Sequence, residues 1–259
     1  RRRHSVVHRC GASAVSDMQM KIWTPRRVRY NTQVIYYNKV TKIYGRGVPA
    51  VEDVTFEIDP GEFVSIVGHS GAGKTTLLKM LFAEVKPTTG TVYFGSREIQ
   101  HLSASELLAL RRNIGTIFQD FRLIPTKTVY ENIAFALEVA GKSEDDIAAD
   151  VPHVLELVGL SDKLWSFPSE LSGGEQQRIA IARAIVNQPD VLIADEPTGN
   201  LDPVNAHDVV GILKKINDLG TTVFLATHNK SVVDSIDRRV VTMDQGRIVR
   251  DEKHGKYIL

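Results

Sequence analysis

The chain has 259 residues, of which 42% are hydrophobic and 24% are charged, a composition that suits one large domain or one domain with a subdomain. No run of about 18 apolar residues occurs, so no transmembrane helix is predicted, and the single cysteine, Cys10, excludes an internal disulfide and a cysteine-based metal site. The net charge of +1 is unevenly distributed, because residues 1–33 carry +7 and the remaining residues carry −6. Since the main part of the chain is mildly acidic, it is a poor candidate for binding nucleic acid through a broad basic face.

Residues 1 to about 32 are rich in arginine and poor in acids and in large apolar side chains, which predicts a largely disordered extension. Three interpretations stay open: a stretch that precedes the true first residue at Met18 or Met20, a basic arm that contacts anionic lipid or nucleic acid, and a transit-like segment. We favour the first interpretation, because position 1 is not a methionine.

From about residue 33 the pattern alternates between strands and helices. Period-two alternation over residues 51–58 predicts a half-buried antiparallel strand, whereas the short apolar run at 63–67 predicts a buried strand. Apolar residues with helical spacing follow at 75–82. The same half of the chain contains predicted strands at 34–37, 91–94 and 114–118 and a predicted helix at 107–112.

The second half of the folded region is richer in helices. Segments with helical spacing at 130–139, 145–158 and 173–186 predict a helical subdomain over about 120–187, inserted between core strands. A continuous apolar run at 191–194 is typical of a strand in a parallel sheet. Predicted next are a helix at 203–219, a strand at 222–226, a short helix at 231–236 and a terminal hairpin of strands 240–243 and 247–249. This alternation indicates an α/β fold with a mainly parallel sheet.

Residues 68–76 match the pattern G-x-x-x-x-G-K-[ST] of a phosphate-binding loop. Glycines let successive backbone N–H groups point at an anion, Lys74 supplies a charge for the β- and γ-phosphates, and the Thr75 hydroxyl is a candidate Mg²⁺ ligand. A strand before the loop and a helix after it argue against a glycine-rich turn that binds nothing. The predicted ATP-binding residues here are Gly68, His69, Ser70, Gly71, Ala72, Gly73, Lys74, Thr75 and Thr76.

Two acids, Asp195 and Glu196, follow the apolar strand at 191–194. Ligands of open α/β sheets bind at the carboxyl ends of the strands, and the phosphate-binding loop leaves the sheet at that edge. Asp195 is therefore a candidate to support Mg²⁺ together with Thr75, and Glu196 is a candidate base that polarises an attacking water. The alternative is a solvated acidic turn, which the loop upstream makes the weaker interpretation.

Residues 171–177, LSGGEQQ, stand at the start of a predicted helix that Ser172 can cap, and the exposed N–H groups there suit a second anion. A capped helix start would be the simpler interpretation of this stretch alone. With Gln119, Asp202 and His228 in the expected order, however, the stretch resembles the signature motif of ABC-type ATPases. The resemblance implies a P-loop NTPase ABC nucleotide-binding domain over residues 33–259, with a mainly parallel sheet, an antiparallel β subdomain and an inserted helical subdomain.

The resemblance also implies roles for the matching residues, in a homodimer that holds ATP and Mg²⁺ between its subunits. Tyr44 would stack on adenine, Gln119 would sense Mg²⁺ and the lytic water, and His228 would contact the γ-phosphate. Asp202 would link the two sites. A plain surface aromatic and a structural histidine stay open as alternatives for Tyr44 and His228. The residues that would contact ATP held by the other subunit are Ser172, Gly173, Gly174 and Gln176.

Residues 118–139 are similar to the FtsE group of cell-division ATPases, and the resemblance extends over about residues 33–255. It implies an ATP hydrolase on the cytoplasmic face of the cell membrane at the division site, where an integral membrane partner similar to FtsX controls peptidoglycan hydrolysis. Contact with the membrane would be indirect. Phe121, Arg122 and Leu123 lie where that partner would dock, although packing inside the helical subdomain is an alternative for both apolar residues.

Two other functions stay open. The run at 195–202 is shared with ATPase subunits of transporters that release lipoproteins or export antibiotics, so a transporter subunit is one alternative. A nucleotide-gated scaffold that does not hydrolyse ATP is the other.

Overall fold

The computed structural model describes residues 34–45 and 47–257. The predictions for residues 1–32 therefore lie outside the described residues, and the domain boundaries given above stay predictions. Within the described ranges, no helix combines the length and the apolar character that crossing a membrane requires.

The described residues form ten strands and seven α-helices, together with three short 3-10 helices. The strands are β1 (Ile35–Ile43), β2 (Pro49–Ile58), β3 (Phe63–Val67), β4 (Thr89–Phe94), β5 (Arg97–Glu98), β6 (Ile114–Ile117), β7 (Val191–Asp195), β8 (Thr222–Thr227), β9 (Arg239–Asp244) and β10 (Arg247–Glu252). The helices are α1 (Lys74–Leu81), α2 (Ala104–Arg112), α3 (Val129–Ala140), α4 (Glu144–Leu157), α5 (Gly173–Ile185), α6 (Pro203–Asp218) and α7 (Lys230–Ile236).

The strands divide into two sheets. An antiparallel sheet has the order β2-β1-β4-β5, and a six-stranded sheet has the order β10-β9-β3-β8-β7-β6. In the second sheet β9, β3, β8, β7 and β6 run parallel, and β10 is an antiparallel edge strand. Because Val67 pairs with Thr227 and Asp195 pairs with Ala226, the carboxyl ends of β3, β7 and β8 lie side by side. Every strand that leads into a predicted catalytic motif ends at this edge.

The central parallel strands of the six-stranded sheet are buried on both faces. In β7, Leu192 and Ala194 pack into a core formed with α3, α4, α5 and α6, whereas Val191 and Ile193 pack into a core formed with α1 and the antiparallel sheet. Successive side chains of a strand point to opposite faces, so burial on both sides requires a continuous apolar run. This explains why the sequence of β7 shows no alternation.

Helices α3, α4 and α5 are inserted between the neighbouring strands β6 and β7, as expected. They share one hydrophobic core with α6 and with a face of the six-stranded sheet. Reciprocal hydrogen bonds between an N-cap hydroxyl and a glutamate three residues later begin α2 (Ser103 and Glu106), α3 (Thr128 and Glu131) and α5 (Ser172 and Glu175). These capping boxes set where the helices start.

The predicted strands and helices are confirmed, but α2 begins at Ala104 rather than at residue 107, β10 continues to Glu252 rather than ending at residue 249, and two further differences lie in the antiparallel sheet. Strand β1 continues to Ile43 rather than ending at residue 37, and the two-residue strand β5 was not predicted. The pairing of β1 shifts register beyond Tyr37, and Lys39 has a φ of 48°. Such a bulge lets a polar segment continue the ladder without the apolar alternation that marks a strand in sequence.

Candidate active site

The phosphate-binding loop connects β3 to α1, and its backbone conformation depends on glycine. Gly73, the N-cap of α1, has a φ of 104°, and a Cβ at this position would collide with the carbonyl oxygen of Ala50. Only glycine readily adopts that φ and also leaves room for a backbone carbonyl so close to its Cα. No side chain caps α1, and its first turn contains no acid. The first N–H groups of a helix have no partners inside the helix, so this end of α1 is suited to an anion.

Lys74 lies across the loop. Its Nζ donates hydrogen bonds to the carbonyl oxygens of Gly68, at 2.7 Å, and His69, at 3.1 Å. Burial lowers the pKa of Lys74, and the negative charges of Glu196 and Asp195 oppose that shift. The ammonium group is therefore held at the mouth of the loop, next to two carboxylates.

Thr75 and Asp195 bring two oxygen donors together at the carboxyl end of β7. The Thr75 hydroxyl lies 3.5 Å from Asp195 Oδ1. Burial raises the pKa of Asp195, the hydrogen bond from Thr75 lowers it, and the charge of Glu196 raises it again. A hydroxyl and a carboxylate are hard oxygen ligands, so this pair fits Mg²⁺ chemically.

Glu196 and His228 form a close pair between the ends of β7 and β8. His228 Nδ1 lies 2.7 Å from Glu196 Oε1, and the His228 backbone N–H donates to Oε2 at 3.3 Å. Glu196 has a φ of 50°, an uncommon conformation for a residue with a side chain, and its backbone N–H is fixed by the Ala226 carbonyl at 2.8 Å. Non-glycine residues held in this region cluster at functional sites, so the strain agrees with a catalytic position.

Gln119 follows β6 and reaches the same region. Its Nε2 donates to Asn200 Oδ1 at 3.2 Å, and the Asn200 amide donates to the Gln119 carbonyl at 3.0 Å. Sequence reasoning did not identify Asn200, whose two hydrogen bonds fix the position of the glutamine.

Most of these groups line one cleft of about 670 Å³, but Gly68 and Asp195, both predicted for the site, are not among its lining residues. Two of its lining residues, Ala50 and Tyr257, were not predicted; Tyr257 lies near the end of the chain and belongs to no motif. Tyr44 is not among the lining residues: its ring is 47% exposed and lies 5.2 Å from Lys42 Nζ, so its stacking role stays a prediction. The predicted residues that line the cleft are His69, Ser70, Gly71, Ala72, Gly73, Lys74, Thr75, Thr76, Gln119, Glu196 and His228.

The predicted signature residues lie outside this cleft, at the starts of α5 and α6. We call the surface formed by Ser172, Gly173, Gly174, Gln176 and Asp202 the signature surface. The five residues do not line the cleft of their own subunit. A role in binding ATP therefore requires that they face a different copy of the chain.

Local hydrogen bonds hold the signature surface in place. The Ser172 hydroxyl donates to Glu175 Oε2 at 2.7 Å, and these hydrogen bonds lower the pKa of Glu175. Gln176 Nε2 donates to the Leu171 carbonyl at 3.1 Å. At the start of α5 the capping box therefore occupies the N–H groups of Ser172 and Glu175.

Gly174 and Asp202 connect the two helices of the signature surface. A Cβ on Gly174 would overlap the side chain of Asn205, whose amide donates a hydrogen bond to Asp202. Asp202 is the N-cap of α6 and also accepts from the Val204 and Asn205 backbone N–H groups, at 3.0 and 3.1 Å. The absence of a side chain at Gly174 therefore allows α5 and α6 to pack closely.

A second depression, of about 490 Å³, lies between α2, α3 and α5, and we call it the docking groove. Leu108, Phe135 and Val139 are exposed apolar residues on its walls. Four arginines line it, and no aspartate or glutamate does: they are Arg111, Arg112, Arg122 and Arg183.

The structure corrects the expected contacts of the segment after Gln119. Arg122 lines the docking groove and stacks on the ring of Phe118, with Cζ 3.6 Å from the ring centroid. Phe121 instead points to the start of α5, next to Gly173, and Leu123 packs against the core of the helical layer. Phe121 and Arg122 both have positive φ, at 56° and 52°, and this turn separates the directions of their side chains. The packing of Leu123 agrees with the alternative of a position inside the subdomain, whereas docking of the partner at residues 121–123 stays a prediction.

The sequence matches the family described as ABC transporter over residues 51–199. It is 50% identical over 224 residues to the cell division ATP-binding protein FtsE of Streptococcus pneumoniae serotype 2 (strain D39), covering 86% of this chain and 97% of that protein. It is 52% identical over 225 residues to the protein of the same name from Mycobacterium tuberculosis (strain H37Rv), covering 86% and 98%.

The fold is also similar to that of a solved structure, a dimeric post-hydrolysis state of the ATP-binding cassette MJ0796 bound to ADP and Pi. The TM-score is 0.77 at 36% sequence identity, and the similarity covers 86% of this chain and all of the solved one.

Proposed function

Because the chain belongs to the ABC transporter family, we propose that it is the ATP-binding and ATP-hydrolysing subunit of an FtsE-type cell-division complex. One observation carries the enzymatic part of this proposal: the Glu196–His228 pair lies in the same cleft as Lys74 and the phosphate-binding loop. The cell-division role is supported by about 50% identity to proteins named FtsE over nearly their full length.

In this proposal the phosphates of ATP lie on the loop between β3 and α1. The N–H groups at the start of α1 face the β-phosphate, and Lys74 exchanges its carbonyl partners for phosphate oxygens. Tyr44, on the exposed end of β1, stacks on the adenine ring.

Thr75 and Asp195 would hold Mg²⁺, and Gln119 lines the same cleft as Thr75. The ion neutralises charge on the β- and γ-phosphates when bound. The raised pKa of Asp195 reflects the unfavourable burial of its charge, and a divalent cation relieves that penalty.

Glu196 is the base that accepts a proton from the attacking water, and His228 holds it in position. Two contacts from the same residue, one from the ring and one from the backbone, fix both carboxylate oxygens. A positioned base lowers the barrier because the water is oriented for in-line attack on the γ-phosphate.

ATP is enclosed by a second copy of the chain. The signature surface lies outside its own cleft, and the similar cassette MJ0796 is described as a dimer bound to ADP and Pi. The signature surface of one copy covers the cleft of the other, so that ATP favours the closed dimer and hydrolysis releases it.

Replacing Glu196 by glutamine tests the enzymatic proposal. We expect Glu196→Gln to lower kcat by at least about a hundredfold while ATP still binds, because a neutral amide cannot accept the proton. The measurement is phosphate release with Mg²⁺ and ATP, and the exposed Glu84→Gln is the matched control. Unchanged turnover in Glu196→Gln would remove this residue from the mechanism.

We also propose that the docking groove receives an amphipathic segment of an integral membrane partner, similar to FtsX, at the cytoplasmic face of the division site. Exposed apolar walls and four arginines without a lining acid fit a segment with one apolar face and at least one acidic residue. Three of the arginines already donate to backbone carbonyls, which holds them along the groove: Arg111, Arg112 and Arg183.

Two substitutions that change the charge of the docking groove test this proposed docking site. Val139→Asp and Arg122→Glu should each abolish co-purification with the membrane protein while the isolated subunit still hydrolyses ATP. Val249→Asp, at an exposed site on β10, is the control and should retain the partner. Retained co-purification by both groove variants would contradict this docking site.

A further inference from the structure

Tyr257 reaches the active-site cleft from the carboxyl-terminal end of the described chain. It follows the edge strand β10, yet it lines the cleft together with Lys74, Glu196 and His228. None of the motifs recognised in the sequence contains it, and the mechanism above leaves it without a role.

The segment that carries Tyr257 is fixed on both of its sides. The Gly255 backbone N–H donates to the Arg238 carbonyl at 3.3 Å, and Gly255 packs so closely on Val240 that an added Cβ would lie 2.7 Å from the valine Cβ. The Tyr257 backbone N–H donates to Asp234 Oδ1 at 3.0 Å. A glycine at the point of closest approach and an anchored tyrosine together define one path for the segment.

The apolar contacts of Tyr257 connect it to two elements of the site. The residue packs against Val67, Val233 and Val240. Val67 is the last residue of β3, directly before the phosphate-binding loop, and Val233 lies in α7, which begins two residues after His228. The half-buried phenol therefore joins the strand before the loop to the helix after the catalytic pair.

The electrostatics of the phenol agree with this position. Burial raises the pKa of Tyr257, and the negative charge of Glu196 raises it further. The phenol consequently stays neutral at neutral pH, and among the described residues its hydroxyl has no hydrogen-bond partner, so the contacts that hold Tyr257 are the packing of its ring and its backbone N–H.

We propose that Tyr257 is a positioning residue for hydrolysis: its ring, packed on β3 and α7, fixes the strand before the phosphate-binding loop relative to the helix that follows the Glu196–His228 pair. This inference rests on the proposed ATPase function. It assigns the carboxyl-terminal segment a place in the site and requires no further cofactor.

The test compares the kinetics of two variants at Tyr257. Tyr257→Ala removes the packing, and we expect kcat to fall about fivefold with KM for ATP unchanged, because the loop and the catalytic pair are no longer held in register. Tyr257→Phe keeps the ring and its packing and should retain kcat within about twofold of the wild-type value. Asp234→Ala removes the acceptor for the Tyr257 N–H and should lower kcat in the same direction.

Tyr93→Phe is the matched control, because Tyr93 is a half-buried tyrosine that stacks on Tyr36 in the antiparallel sheet, away from the cleft. Thermal unfolding of each variant separates a misfolded protein from a mispositioned base. If Tyr257→Ala kept the wild-type kcat or raised KM with kcat unchanged, or if Tyr257→Phe lost as much kcat as Tyr257→Ala, the positioning role of the ring would be wrong although the wild-type protein still hydrolysed ATP. A wild-type protein without turnover would instead overturn the proposed function.

Discussion

The phosphate-binding loop and the signature surface both place glycines at the start of a helix, but the two helix ends are completed differently. No side chain caps α1 at Gly73, and no acid stands in its first turn. Helix α5, in contrast, begins with a complete capping box between Ser172 and Glu175. The first end leaves its N–H groups and its positive dipole for an anion, whereas at the second end the capping box occupies two N–H groups and places a carboxylate in the first turn.

This difference indicates which region holds the ligand and which one covers it. The α1 end lies in a cleft with Lys74, Glu196 and His228, so a positive charge and the proposed base lie beside it within one subunit. The signature surface has none of these, yet it is held rigidly through Gly174 and Asp202. A preorganised surface of this kind suits the closing of a site formed by another copy.

The largest effect is expected at the ligand-holding region. Lys74→Ala removes the charge at the mouth of the loop and should lower kcat/KM for ATP by about a thousandfold. Lys215→Ala, at an exposed position on α6, is the control. Both variants are compared with the wild type in assays of nucleotide binding and phosphate release. If Lys74→Ala bound and hydrolysed ATP as well as the wild type, the loop would not be the phosphate-binding site.

A smaller effect is expected where α5 meets α6. Gly174→Ala forces a Cβ into Asn205 and should weaken ATP-dependent dimerisation about tenfold while ATP binding to the monomer is retained. Gly211→Ala is the matched control, because no atom lies within 4 Å of a Cβ there; it should stabilise α6 by up to about 1 kcal/mol. Light scattering with ATP reports the dimer, and unaltered dimerisation of Gly174→Ala would show that this packing is unimportant.

The smallest effect separates the capping role of Ser172 from its role at the dimer. Ser172→Ala and Ser103→Ala each remove a capping box and should each lower the free energy of unfolding by about 1 kcal/mol. Only Ser172→Ala should also reduce ATP hydrolysis. A loss of hydrolysis in both variants, or in neither, would contradict the difference between the two helix ends.

The same variants have a defined pH dependence. The hydrogen bonds of Ser172 lower the pKa of Glu175 in the folded protein, so their stabilising effect is present above the unfolded pKa of a glutamate. It is lost as the pH falls through the lowered, folded pKa. Chemical unfolding of wild type and Ser172→Ala should therefore differ at neutral pH and converge in acid; a constant difference would contradict this linkage.

Much of the fold was predictable from sequence because its signals are local. The loop at 68–76, the apolar run of β7 and the acids after it were all recognisable, since each depends on residue type and spacing along a few positions. The structure then brings these motifs to one sheet edge through the parallel register of β3, β7 and β8.

The parts that could not be predicted depend on backbone direction and on distant contacts. The positive φ of Phe121 and Arg122 turns one side chain to α5 and the next into the docking groove, and no propensity for that conformation is visible in either residue type. Tyr257 enters the cleft only because the last segment crosses β9 and α7. The continuation of β1 beyond residue 37 could not be predicted either, because the register shift interrupts the apolar alternation that marks a strand.

Mixing two inactive variants tests most directly whether the site is assembled from two copies. Lys74→Ala has a defective loop and Ser172→Arg a defective signature surface, so a mixed dimer contains one site in which both halves are intact. Our account predicts that neither variant alone hydrolyses ATP and that an equal mixture recovers about a quarter of the wild-type rate. An inactive mixture, or full activity of Ser172→Arg alone, would contradict a site shared between subunits.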